Sequence, residues 1–233
     1  GLNRLPVKKL PKTIIISSGD ELVDVEENPG PFQIRRSNNY MVRAALQKYG
    51  LKADLKHIAD DSAKTVKLIS QCLEEYEVII LSGGISMGKF DFIPEALELA
   101  SVKKLFHKVQ QRPGKPFWFG EHKNKTLVFA FPGNPVSTFM CLHRYFFPWL
   151  KASLGLPFTH EFAFLNEDFS FTPNLKYFLQ VQLKNENGKI LATPFEGNGS
   201  GDFSNLIDAQ AFIELPTEQT NLAKGEIFRI WPF

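Results

Sequence analysis

Cysteine is scarce: Cys72 and Cys141 are the only two in 233 residues. They stand too far apart for the disulfide framework of a small secreted scaffold. Both fall in helix-like segments, so two packed thiols in a reduced, cytoplasmic protein are expected. No apolar stretch reaches the ~18 residues that a membrane span needs, and no segment has the charged start and apolar core of a signal peptide. Net charge is nearly absent, because 27 Lys and Arg face 25 Asp and Glu. With no Lys/Arg run long enough to be a nucleic-acid tail either, a general polyanion partner is not expected. His57, His107, His122, His143 and His160 show no ligand spacing, which argues against a histidine metal site. There is no G-x-S-x-G and no sign of a nucleophilic triad. The chain opens "GLNRLPVKKLPKT" without Met, as a processed chain or an excised part of a longer one would.

What is present is an ordinary globular composition, 43% hydrophobic and 22% charged. That length suits one large domain, or a medium domain with a small one. From Thr13 the pattern alternates strand and helix. "TIIIS" (Thr13–Ser17) is a β-branched run, and "NNYMVRAALQKYG" carries apolar residues at helical spacing up to Gly50. "LKADLKHIA" predicts a second strand and "DSAKTVKLISQCLEEY" a second helix, with Asp61 or Ser62 at its N-cap. "EVIIL" is continuously apolar, as strands buried on both faces are. A helix is expected around Pro94–Ala100, and strands near Leu105–Val109, Phe117–Gly120 and Leu127–Phe131. The helix "NPVSTFMCLHRYFFPWLKASLG" closes this half. Such alternation predicts an α/β, three-layer, mostly parallel sheet over residues 1–155. From Leu156 the texture changes to alternating strands. In "FLQVQLKNENGKILATPF" two alternating strands flank a polar turn whose strongest signal is Asn187-Gly188. A small all-β domain over 156–233 is expected.

In open α/β sheets, ligands bind at the carboxyl ends of the strands. Ser17-Ser18-Gly19-Asp20-Glu21 follows the first strand and Asp60-Asp61 the second. The third opens into "SGGISMG" (Ser82–Gly88) and then Asp91. "FPGNPVS" ends the last strand of this half, with Asn134 able to cap the final helix and Pro135 at its first position. Glycine loops and a helix N-terminus suit anionic oxygens, because backbone N–H groups can approach a phosphate closely. Carboxylates on the same rim would repel a phosphate unless a divalent metal, usually Mg²⁺, joined them. Each piece alone has a bland counterpart: a tight turn at Gly83-Gly84, helix capping at Asp60-Asp61. Their coincidence on one sheet edge is what points to a site.

In order and spacing, "SSGDEL" (Ser17–Leu22), "SGGISMGKFDF" (Ser82–Phe92), "RPGKPFWFG" (Arg112–Gly120) and "FPGNPVS" (Phe131–Ser137) resemble the motifs of molybdopterin molybdenumtransferases. This is the MoeA and gephyrin E-domain family of molybdenum cofactor synthesis. "QIRRSNNYM" (Gln33–Met41) is similar to that family's first helix entrance. The likeness is strong from Thr13 to Gly155 and weaker through "GNGSGDFSNLIDAQAFIELP" (Gly197–Pro216).

The resemblance implies a pterin-binding α/β domain followed by a barrel-like β domain. It implies a reaction that takes adenylylated molybdopterin, molybdate and Mg²⁺, cleaves the pyrophosphate bond, and releases AMP with the metallated cofactor. Gly83, Gly84, Ser86 and Gly88 would line the phosphates, with Ser17 and Gly19 on the same rim. Glu21, Asp60 or Asp61, and Asp91 would hold the metal, Asp91 and Asp60 also supporting hydrolysis. Lys115, with Pro132, Gly133, Asn134, Pro135 and Ser137, would bound the molybdate and dithiolene end, and Ser200 is a candidate for the oxyanion site. A molybdopterin adenylyltransferase as pathway partner and a homodimer in the full-length family are implied as well.

Departures from the family pattern qualify this. The family carries an N-terminal half, and that half's second domain, from a dimer partner, roofs the site. No such half is present in this sequence, so an excised fragment is expected, monomeric or weakly dimeric. Lys89 stands where the family often has Asp or Glu, which puts the metal's ligand set in question. Arg112 replaces a Lys of "KPGKP" but keeps the charge and can grip an oxyanion bidentately. Gln180 stands where a basic residue is expected. Rival readings are a molybdopterin adenylyltransferase, which typically carries "GGTG" where this chain has "GGIS", a competence-damage-type protein, and a non-catalytic scaffold. Catalysis needs the acidic residues; a scaffold would tolerate their loss and need an exposed apolar groove.

Overall fold

A computed structural model describes residues 1–85, 92–172, 174–195, 197 and 199–233. In chain order, β1 (Thr13–Ser18) is followed by the short pair β2 (Leu22–Val23) and β3 (Ile34–Arg35), then α1 (Asn38–Gln47), β4 (Ala53–Ile58), α2 (Ser62–Glu75) and β5 (Val78–Ser82). Next come α3 (Ile93–Leu99), β6 (Lys103–His107), β7 (Gln111–Arg112), β8 (Trp118–Glu121), β9 (Leu127–Phe131), α4 (Pro135–Cys141), a π-helical segment Leu142–Phe146 and α5 (Phe147–Ser153). The last part holds β10 (Glu161–Leu165), β11 (Phe169–Ser170), β12 (Lys176–Glu186), β13 (Lys189–Pro194), α6 (Asn205–Asp208), β14 (Ala211–Leu215), β15 (Asn221–Leu222) and β16 (Ile227–Pro232).

The first sheet has six strands in the order β4-β1-β5-β9-β8-β6. The run β4-β1-β5-β9 is parallel, while β8 and β6 close one edge antiparallel. Alternate residues of the buried strands serve opposite faces. Ile15, Val78 and Ile80 pack with α1 and with Met140, Leu142 and Phe146 of the last helical run. Ile14, Ile16, Ile79 and Leu81 pack with Ile69 and Leu73 of α2 and Leu97 of α3. Helices therefore cover both faces, the three layers read from the sequence.

The second sheet runs β13-β10-β16-β14-β12, and a β13–β12 pairing closes it into a five-stranded barrel. Its tightest turn is the expected one: Glu186 pairs with Lys189, and Asn187 (φ 52°) and Gly188 (φ 85°) take the positive φ of a type I′ hairpin. A sixth strand comes from outside the barrel segment. β7, within the "RPGKP" motif region, adds parallel to β12, with Gln111 opposite Lys176 and Arg112 opposite Tyr177.

Two expectations need correcting. The strand expected at Leu105–Val109 lies at Lys103–His107. It is an edge strand, and Lys103 and Lys104 on an edge defend it from further pairing although they dilute the apolar signal. The expected single closing helix is interrupted by a π segment, where Phe147 N–H reaches Leu142 O. Pro148 is the reason: it lacks an N–H, and the wider turn re-routes the bonds around its ring.

Candidate functional site

The parallel strands end together. Ser17 lies opposite His57 on one side and Ser82 on the other, and Ser82 lies opposite Phe131. The chain leaves β1 for β4 on one side and then crosses to β5 on the other, so the topological switch point falls between β1 and β5. A cavity of about 650 Å³ opens there. Of the residues singled out from sequence, Ser17, Gly19, Glu21, Asp60, Gly83, Gly84, Gly133, Asn134 and Pro135 line it.

Two crossing points shape its floor. Gly83 and Gly84 turn at φ 95° and 66°, and Gly83 N–H donates to Phe131 O at 3.2 Å. This ties the glycine loop to the "FPGNP" turn. From the wall, Asn38 at the start of α1 donates through Nδ2 to Ser82 Oγ (2.9 Å) and Gly133 O (2.6 Å). The N-terminus of α1 and that of α4 thus face the same space, which favours an anion. His57 Nδ1 lies 3.1 Å from Ser17 Oγ. Burial, with the nearby Arg36, lowers the His57 pKa below the ordinary imidazole value.

The acidic residues divide. Asp60 N–H donates to Asp20 Oδ1 at 2.9 Å, and Asp20 N–H reaches Asp60 Oδ2 at 3.4 Å, so the loops after β1 and β4 clip one another. Glu21 and Asp60 reach the cavity. Asp61 does not: its carboxylate accepts from Lys64 N–H at 2.9 Å as the N-cap of α2, and pairs with Lys64 Nζ at 3.1 Å. Those bonds hold the Asp61 carboxyl below the usual carboxylate range. Ser86, Gly88, Lys89 and Asp91 lie outside the described residues. Among the described residues, no three His, Cys, Asp or Glu side chains gather as a metal cluster.

A second cavity of about 510 Å³ lies between the glycine-loop half and the barrel. Arg112, Lys115, Pro132, Ser137 and Ser200 line it, and it shares Gly133 and Asn134 with the first. The Arg112 guanidinium stands 5.1 Å from the centre of the Tyr177 ring, a cation–π contact. Ser200 is fixed at the junction: its carbonyl accepts from Val136 N–H (3.1 Å) and its hydroxyl from Asn134 Nδ2 (2.9 Å). Asn134 occupies the N-cap position of α4 as expected, but its side chain makes no cap bond; the barrel loop has claimed it. Gln180 also lines this cavity, its Nε2 held by Asn205 O at 3.0 Å.

Several lining residues escaped the sequence reading as site residues: Ser18, Ser82, Arg35, Arg36, Asn38 and, from the barrel part, Tyr177 and Phe203; so did His57, which lines neither cavity but stands against Ser17. The pair Arg35-Arg36 directly before a helix N-terminus was a usable signal. Arg36 is engaged in an ion pair with Asp24, which also accepts from Tyr40 OH at 2.8 Å. The Tyr40 bond, helped by the Val25 amide, holds Asp24 below the usual carboxylate range.

Against known proteins, the family described as "Probable molybdopterin binding domain" matches residues 14–152, and "MoeA C-terminal region (domain IV)" matches residues 163–233. The molybdopterin molybdenumtransferase of Synechocystis sp. is 40% identical over 231 residues, covering 98% of this chain and 57% of that protein. That of Bacillus subtilis is 31% identical over 247 residues, covering 100% and 57%. The crystal structure of a molybdopterin biosynthesis MoeA protein from Pyrococcus horikosii superposes with a TM-score of 0.79 at 27% identity, over 95% of this chain and 54% of that one. The chain thus spans little more than half the length of the relatives it matches. Since the first match alone takes in more than half of its residues and the second takes in the barrel, the chain belongs to the molybdopterin molybdenumtransferase family.

Proposed function

We propose that this chain forms the part of a molybdenumtransferase that holds adenylylated molybdopterin, receives molybdate, and releases AMP with the metallated cofactor. One observation carries the reading: two cavities of different chemistry meet at the Gly133–Asn134 turn. The first offers a bare glycine loop, two helix N-termini and two carboxylates, which suits the phosphates of the adenylate. The second offers Arg112 and Lys115, which suit an oxyanion such as molybdate beside the dithiolene. A ligand spanning both places its reacting ends on either side of one turn.

Glu21 and Asp60 come from two different strand ends into one cavity, and their hard oxygens fit Mg²⁺ better than any soft metal. They would hold it, with Asp91 as a third candidate ligand, and the ion would supply positive charge where pyrophosphate charge develops. The chain's own residues do the rest. The missing side chains at Gly83 and Gly84 admit the phosphates to the backbone, and Ser137 and Ser200 border the space for molybdate. Asp60 and Asp91 are the carboxylates assigned to support hydrolysis of the adenylate, and Lys115 offsets charge as oxyanions meet. By the same reading, the boundary between the two parts lies at Gly155–Leu156, and the full-length protein is a cytoplasmic homodimer fed by a molybdopterin adenylyltransferase. The match of the barrel to the MoeA C-terminal region favours this over an adenylyltransferase.

Calorimetric titration of adenylylated molybdopterin with Mg²⁺ tests it. Asp60→Asn is expected to remove most of the Mg²⁺-dependent affinity, whereas Lys115→Ala spares adenylate binding and weakens molybdate. Metal-independent binding, or equal loss of both ligands in each variant, would defeat the two-cavity assignment.

A further inference from the structure

Ser17 and His57 stand opposite each other in the register of β1 and β4, and Nδ1 of the ring lies 3.1 Å from Ser17 Oγ. A neutral ring that carries its proton on Nδ1 is the donor in this contact. Ser17 Oγ then accepts from Nδ1–H, and its own hydroxyl proton is left to turn into the cavity that Ser17 lines. Ser17 is only 2% exposed, so few other directions are open to it. One strand over, Ser82 is fixed the same way, its oxygen accepting from Asn38 Nδ2.

A second hydroxyl makes the point independently. Ser18 Oγ is buried and finds no partner among the described residues, yet Ser18 lines the same cavity beneath Gly83 and Gly84. The residue is 8% exposed. A buried hydroxyl with no acceptor is rare unless something outside the protein completes it.

We infer that His57 is a positioning residue: it holds the Ser17 hydroxyl as a hydrogen-bond donor toward a phosphoryl oxygen of the ligand in the glycine-loop cavity, while Ser18 supplies a second donor beside it. This rests on the proposal that the cavity takes phosphates. Burial, and then the neighbouring Arg36, disfavour a second proton on the ring, which leaves one, assigned here to Nδ1. His57 touches no ligand atom in this scheme and acts only through Ser17.

The probe is inorganic pyrophosphate with Mg²⁺, titrated calorimetrically into the 233-residue chain. Ser17→Ala and His57→Phe are each expected to weaken binding about tenfold, the size of a hydrogen bond to a charged group. The double variant is expected to lose no more than either single one, because the two side chains act as one unit. His57→Asn, which puts an amide donor where Nδ1 was, restores affinity to within about twofold; His57→Gln, which mimics the other nitrogen, does not. Nitrogen-15 spectra of the wild-type ring are expected to show the Nδ1–H tautomer and to shift when pyrophosphate is added. An Nε2–H tautomer, additive losses, or wild-type affinity in a folded His57→Phe would overturn the role of His57 while leaving the phosphate cavity in place. A wild-type chain that binds no pyrophosphate would overturn both, whatever the tautomer.

Discussion

Gly84 is confined twice over. Its φ is 66°, and a Cβ there would come within 2.7 Å of Ile93 Cγ1 and 2.8 Å of Ser18 Oγ. Gly188 shares the first constraint and escapes the second, since its φ is 85° and nothing lies within 4 Å of an added Cβ. The pair separates backbone strain from crowding. Gly188→Ala is expected to cost about 1 kcal/mol, the left-handed penalty alone. Gly84→Ala adds overpacking of about 1–3 kcal/mol to that, and it pushes Ser18 Oγ out of its place in the cavity floor. Urea midpoints check the stabilities, and pyrophosphate affinity checks the floor. Equal destabilisation by the two substitutions would show that Ile93 yields freely and that Gly84 is required by the turn alone. At this scale the sequence was partly readable. A glycine pair after a buried strand announced the loop, but only the fold puts Ser18 beneath it and His57 beside Ser17, because both contacts join residues that are distant in the chain or turned to opposite faces.

Elements with a local signature were legible and those set by tertiary demands were not. β5 was readable because five consecutive residues are buried on both faces. The start of α2 was readable because Asp61 caps it through a bond only three residues long. β7 has two residues and pairs with a strand more than sixty positions away, so no local pattern could reveal it. The π segment announced itself only through Pro148, which a periodicity reading passes over. That segment carries His143, packed among the rings of Phe139, Phe147 and Phe233. Burial, reinforced by Lys48 and Lys151, drives the His143 pKa down to about 3 from 6.5, and Nε2 has no partner among the described residues. A neutral group in the folded state that protonates near 6.5 when unfolded stabilises the fold fully above that pH. The contribution is lost as pH falls from 6.5 toward 3, at up to about 1.4 kcal/mol per pH unit. His143→Phe keeps a ring in the cluster and removes the proton. It is expected to match the wild type at pH 7.5 within about 1 kcal/mol and to exceed it at pH 4.5, read from urea midpoints at both values. A difference that does not change with pH would mean that His143 stays neutral in both states or charged in both.

At the scale of the molecule, the sheet and the barrel are bound by more than a linker. Phe178, Phe212 and Trp231 of the barrel strands belong to the same core as Phe131, Phe146 and Met140 of the sheet side. Tyr145 OH bonds the buried Gln111 of β7, and Ser200 is stitched to the first turn of α4. The second cavity exists only because both parts contribute walls, so any relative slip would separate Tyr177, Gln180 and Ser200 from Lys115, Gly133 and Asn134. A shared core predicts shared stability. Phe212 is 1% exposed and meets Phe139 of α4 and Phe233. Truncating it to Ala removes packing on the seam itself, at about 3–5 kcal/mol. Hydrogen exchange then distinguishes two architectures. In one cooperative unit, the most protected amides of β5 and of β14 lose the same free energy in Phe212→Ala, because both exchange only when the whole molecule opens. In two units that merely touch, β14 loses protection while β5, held on its other face by Ile79 and Leu81 in a separate core, keeps it. The continuity of the core across the seam favours the first outcome. Protection lost in β14 alone would show that the barrel opens by itself, and that the junction at Gly133–Asn134 is held by its own hydrogen bonds rather than by the core behind it.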